Sequence, residues 1–166
     1  MKKILIALAL FSSLSVSANQ DAEVLGVAFG STCEETVQKL NKDYGTPKSQ
    51  SADKLVYLNE MFEGFKADRV ELGFQDLQGT TKLNQARFYF VCPNKAAAIA
   101  RMKSLVKKME TRYSVSYDEE DGGTAFYKGG NSPLGIGCLF TIFVSPIREK
   151  GLASCVMVNS SLSRFL

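Results

Sequence analysis

Hydrophobic positions recur along this chain with two different periods. Between residues 30 and 47, Cys33, Val37, Leu40 and Tyr44 follow one another at helical spacing and share a face, while Glu34, Glu35, Lys39 and Lys42 fall mostly elsewhere. Ser31 or Thr32, each followed three residues later by Glu34 or Glu35, supplies a capping box for the start of this helix. Gly45 and Pro47 supply its stop. A second, longer helix is predicted after the cap residue Asn94, because Ile99, Met102, Val106, Met109 and Tyr113 again recur at helical spacing. Ala96, Ala97 and Ala98 favour it locally. Its outer side carries Arg101, Lys103, Lys107 and Lys108, a composition met more often on a solvated face than on an acid-binding stripe.

Elsewhere the period drops to two. Val70, Leu72 and Phe74 alternate with Arg69, Glu71, Gly73 and Gln75, which predicts a strand with one buried face. Residues 55–58, 86–91, 124–128, 139–144 and 154–159, rich in aromatic and β-branched side chains, are the other predicted strands. Turn signals separate them at Gln78-Gly79, Gly122-Gly123, Gly129-Gly130 and residues 146–151.

In order, these elements read helix, three strands, helix, three strands. A shift of about 70 residues brings Tyr44 onto Tyr113, Tyr57 onto Phe126 or Tyr127, Gly64 onto Gly135 and Leu83 onto Leu152. The expectation is therefore an α+β fold of two tandem helix-plus-three-strand units, residues 29–92 and 93–162, forming an antiparallel sheet with both helices packed on one face. A membrane barrel also fits the length, but the long charged helix, the cysteines and strands apolar on both faces argue against it.

Composition changes this picture in two respects. Lys2 and Lys3, an apolar run over residues 4–14 and the small residues Val16-Ser17-Ala18 form the three parts of a cleavable export signal over residues 1–18. The run is too short for the ~20 residues of a membrane span, and no cysteine lies near the cut to carry a lipid. The expected mature chain, residues 19–166, is a single periplasmic or secreted domain without a membrane span. It carries 18 basic and 17 acidic residues, a balance that attracts no nucleic acid. Export also takes Cys33, Cys92, Cys138 and Cys155 to an oxidising compartment, where two disulfides are expected and any of three pairings is open.

The span from Gly30 to Pro47, with Gly30, Ser31, Val37, Leu40, Gly45, Thr46 and Pro47, resembles the opening module of the small lipoprotein of the outer-membrane β-barrel assembly machine. The tandem order resembles that of the secreted β-lactamase inhibitor proteins. Phe29 to Glu35 is similar to the FGS-x-x-EE opening of uncharacterised exported bacterial α+β proteins. The helix here runs about one turn longer than in the lipoprotein module, and the lipidated cysteine is missing. The resemblance implies a fold and no activity.

Candidate chemistry is sparse. The chain contains no histidine, which removes the usual partner of a serine or cysteine nucleophile and the commonest metal ligand. Ser160, Ser161 and Ser163 lie in no GxSxG elbow. The acidic run Asp118, Glu119, Glu120, Asp121 lacks the ligand spacing of a calcium loop and reads as a solvated hairpin tip. Gly129, Gly130, Gly135 and Gly137 surround Asn131-Ser132-Pro133 without the lysine and hydroxyl of a phosphate loop. No catalytic, metal or cofactor site is expected. Met61, Phe62 and Phe65 fall in a predicted loop over residues 59–66, where they would form an apolar docking patch or fold back into the core. The expected function is a non-catalytic exported module that binds a protein partner. The alternatives are an envelope-assembly accessory protein, or an enzyme using a lysine or carboxylates such as Glu71, Asp76 and residues 118–121.

Overall fold

The computed structural model describes residues 23–77, 79–120, 124–131, 137–146 and 152–160. Its elements are β1 (Glu23–Val24), β2 (Val27–Ala28), α1 (Cys33–Tyr44), β3 (Ser49–Gln50), β4 (Lys54–Phe62), β5 (Phe65–Leu77), β6 (Thr80–Cys92), α2 (Lys95–Met109), β7 (Val115–Glu120), β8 (Thr124–Gly129), β9 (Phe140–Pro146) and β10 (Ala153–Ser160). Thr32 caps α1 by accepting from the Glu35 amide at 3.3 Å, and the Glu35 carboxylate accepts from the Thr32 amide at 2.8 Å. Asn94 caps α2, accepting from the Ala97 amide at 2.9 Å.

Strands β3 to β10 form one antiparallel sheet in the open order β3-β4-β5-β6-β10-β9-β8-β7, and β1 pairs only with β2. Its register lines side chains up in rows across the sheet. On one face a row runs Tyr57, Val70, Phe88, Met157, Ile142, Tyr127, Tyr117, and beside it runs Leu55, Leu72, Ala86, Asn159, Phe140, Gly129, Val115. Both helices cover this face: Leu40 from α1 and Met102, Leu105, Val106 and Met109 from α2 join these side chains in one core. Burying each large apolar side chain contributes about 1.5–3 kcal/mol. Asn159 is the one member of the two rows with an amide or charged side chain. Its Oδ1 and the Tyr57 hydroxyl are buried without hydrogen-bond partners.

The expected pair of helix-plus-three-strand units is not what the chain forms. The protein is mostly β, with a single eight-stranded sheet and a separate two-stranded one. Two of the strands in the large sheet carry no sequence signal. β3 spans two residues, too few to show a period. β7 contains Asp118, Glu119 and Glu120, residue types depleted in strands. It lies at the sheet edge, where charge is tolerated and discourages pairing with another chain. The predicted loop at 59–66 is likewise a continuation of β4 and β5 through a two-residue turn, Glu63-Gly64, with φ of 53° and 82°. Positive φ at both positions matches the twist of the flanking strands.

No two of Cys33, Cys92, Cys138 and Cys155, the residues expected to form two disulfides, lie at disulfide distance here. Cys92 and Cys155 lie on neighbouring strands but out of register, with Ala153 opposite Cys92 and Phe90 opposite Cys155. The expected export signal over residues 1–18, Asp121, Gly122-Gly123, Ser132-Pro133, Gly135, Ser161 and Ser163 lie outside the described residues.

Candidate functional site

Neither helix packs on the opposite face of the sheet, and here the register produces a different chemistry. One row crosses seven strands as Leu58, Arg69, Tyr89, Val156, Phe143, Phe126, Asp118. The next runs Ser49, Val56, Glu71, Arg87, Val158, Thr141, Lys128, Ser116 and crosses all eight. Apolar and charged side chains are interleaved on this face, whereas the helix-side rows are almost wholly apolar. Leu58 and Val91 are 40% and 45% exposed, Tyr89 and Phe143 are half-buried, and Val156 between them is buried.

A mutually connected group on this face is centred on Tyr89. The Arg69 guanidinium lies over its ring, 4.2 Å from the centroid. The Tyr89 hydroxyl donates to Glu71 Oε2 at 3.1 Å, and Arg69 Nε meets Glu71 Oε1 at 3.4 Å. Three side chains from two strands thus hold one another, so a partner that engages Tyr89 loses little side-chain freedom. A β-bulge creates this meeting. Between Phe74–Leu83 and Gly73–Gln85 the register shifts by one residue, with Asn84 as the extra residue and its amide donating to Gln75 Oε1 at 2.7 Å. Without the shift Arg69 would stand opposite Phe88 rather than Tyr89.

The residues singled out by sequence fall in separate places. Phe62 stacks on Phe88 and is 8% exposed, and Phe65 packs at the edge of the core beneath Arg101, which lies 5.0 Å from its ring centroid. Met61 alone of the three is exposed, at 55%. Glu71 joins the Tyr89 group. Asp76 instead accepts from the Gly79 amide at 2.8 Å in the β5–β6 turn. Asp118 pairs with Lys128 on β7 and β8, with three strands, β6, β10 and β9, between them and Glu71. No two of these carboxylates converge, and no group of three potential metal ligands occurs among the described residues. Gly129 lies in β8, opposite Phe140, and its carbonyl accepts from the Leu139 amide at 3.0 Å. Lys103, Lys107 and Lys108 are exposed along α2. Among the described residues no helix is long and apolar enough to cross a membrane.

Arg69 and Tyr89 carried no sequence signal beyond their places as the outward members of alternating strands. No family model, no curated protein and no solved structure matches this chain.

Proposed function

We propose that the chain is an exported, non-catalytic binding module that recognises a protein partner through the sheet face turned away from the helices. The observation that carries this reading is the Arg69–Tyr89–Glu71 group set among Leu58, Val56, Val91 and Phe143. Tyr and Arg dominate the energetics of protein interfaces when a rim of neighbouring contacts excludes water from them. Here both are present, pre-arranged and flanked by apolar side chains. The lack of histidine in the sequence, and of converging carboxylates among the described residues, supports a binding role over a hydrolytic one. The export pattern over residues 1–18 supports a periplasmic or secreted setting for the partner.

The test is capture by cross-linking from envelope and culture-medium fractions, followed by calorimetry with each partner recovered. Tyr89→Ala and Arg69→Ala are each expected to weaken binding by about 30-fold or more, the loss for a central interface residue. Met61→Ala, on the opposite side, is expected to bind as the wild type does. Equal affinity for the wild type and a folded Tyr89→Ala variant overturns the reading.

A further inference from the structure

A cleft of about 920 Å³ opens on the other side of the sheet, between the β1–β2 hairpin, the C-terminal ends of α1 and α2, and the β4–β5 tip. That volume falls within the range of small-molecule sites. Tyr44, Phe62 and Tyr113 supply aromatic wall, Glu23 stands at its rim, and Glu63 is ion-paired to Arg112. Asn159 also lines it. This side chain is 5% exposed, and its Oδ1 accepts no hydrogen bond. Leaving a buried acceptor unpaired costs about 1–3 kcal/mol, so an unmet demand for a donor is built into this cleft.

We infer that the cleft binds a small cationic amphiphile, an ammonium group carried on an apolar body, with the ammonium donating to Asn159. An ammonium offers donors and no acceptor, which suits a lone acceptor oxygen beside carboxylates. Among the described lining residues, Glu63 and Arg112 neutralise one another and Glu23 leaves a net negative charge. Asp43 and Glu60 add negative charge near the Tyr44 wall, and burial first and these charges second push the Tyr44 phenol upward. Aromatic faces add cation–π attraction for the same charge. A carboxylate or phosphate ligand would leave the Asn159 Oδ1 without a donor and bring like charge to Glu23. The site lies across the sheet from Tyr89 and stands independently of the protein-binding face.

The experiment titrates the mature chain with octylammonium, 1-octanol and octanoate, followed by calorimetry and by side-chain amide resonances. Octylammonium is expected to bind saturably at one site, shift the Asn159 amide signals, and bind at least tenfold more tightly than octanol or octanoate. Asn159→Leu is expected to weaken it at least tenfold, with folding checked by circular dichroism. Glu23→Gln, at an exposed rim position, is expected to weaken it about threefold, the effect of a screened single charge. Absence of octylammonium binding, octanoate binding as tightly, shifts mapping away from Asn159, or unchanged affinity in both variants overturns the inference.

Discussion

The ring of Phe62 lies stacked on that of Phe88, with centroids 3.8 Å apart and planes 22° from parallel. Phe88 is fully buried in the middle of the helix-side row, so this contact ties the tip of the β4–β5 hairpin to the centre of the core. Phe62→Ala removes the stacked ring and leaves a void in the core beside Phe88. A loss of about 3–5 kcal/mol is expected in urea unfolding, while the adjacent Met61→Ala stays within about 0.5 kcal/mol. A Phe62→Ala variant as stable as Met61→Ala would place the hairpin tip outside the core.

Local signals were readable and long-range register was not. The capping box at Thr32 and Glu35 and the cap at Asn94 act within four residues, so sequence spacing alone narrows the first helix start to Ser31 or Thr32 and places the second at Asn94. The alternation around Val70 likewise announces β5. Glu63-Gly64 gives a weaker version of the Asn-Gly hairpin signal, and the apolar residues beside it read as a loop although they are strand. The Tyr89 group is out of reach for a sharper reason. Arg69 and Tyr89 are 20 residues apart, and which one faces the other depends on the single extra residue Asn84. A one-residue slip turns every later side chain of β6 to the other face, and nothing in the alternation of β6 announces where the slip occurs.

Asp118 and Lys128 form an exposed ion pair on the helix-free face near the β7 edge. The Lys128 hydrogen bond, helped by the Glu119 amide, holds the Asp118 carboxyl below its usual value, and the same pairing raises Lys128. A lowered carboxyl favours the folded state above the ordinary carboxylate pKa, and this contribution disappears as pH falls through the folded value. Lys128→Met is therefore expected to raise the Asp118 midpoint toward that of an ordinary aspartate in a carboxyl-detected NMR titration. Stability at neutral pH is expected to change little, because exposed pairs contribute little. An unchanged midpoint would contradict the pairing.

Cys155 sits in β10 beneath α2, and burial, with a smaller effect from Cys92, pushes its thiol up to about 12. The thiolate that alkylating agents require is thus almost absent at pH 8. Iodoacetamide treatment of the native, reduced protein followed by peptide mass analysis is expected to leave Cys155 unmodified, while unfolding in urea makes it reactive. Because the folded value lies above the unfolded one, the protonated thiol is favoured by folding. That stabilisation is complete below about pH 9 and is lost as pH rises toward 12. Cys155→Ala is expected to flatten this alkaline decline. Rapid native labelling of Cys155 would contradict its burial.

Gly129 owes its identity to Phe140. The two stand opposite each other in β8 and β9, and the Phe140 ring fills the space above the glycine, so that an added Cβ would lie 2.6 Å from Phe140 Cζ and 2.9 Å from the Ser114 carbonyl oxygen. Phe140 is itself 1% exposed and packs edge-on to Tyr113 with centroids 5.5 Å apart, so its ring has little room to withdraw. Gly129→Ala is accordingly expected to destabilise the protein by about 1–3 kcal/mol, the usual cost of overpacking a filled core. If ring crowding is the larger part of that cost, Phe140→Leu should relieve it. The double variant is then expected to be less destabilised than the sum of the two single changes, by about 0.5 kcal/mol or more in chemical denaturation. Strict additivity would mean that the Ser114 backbone, and not the aromatic ring, is what excludes a side chain at this position.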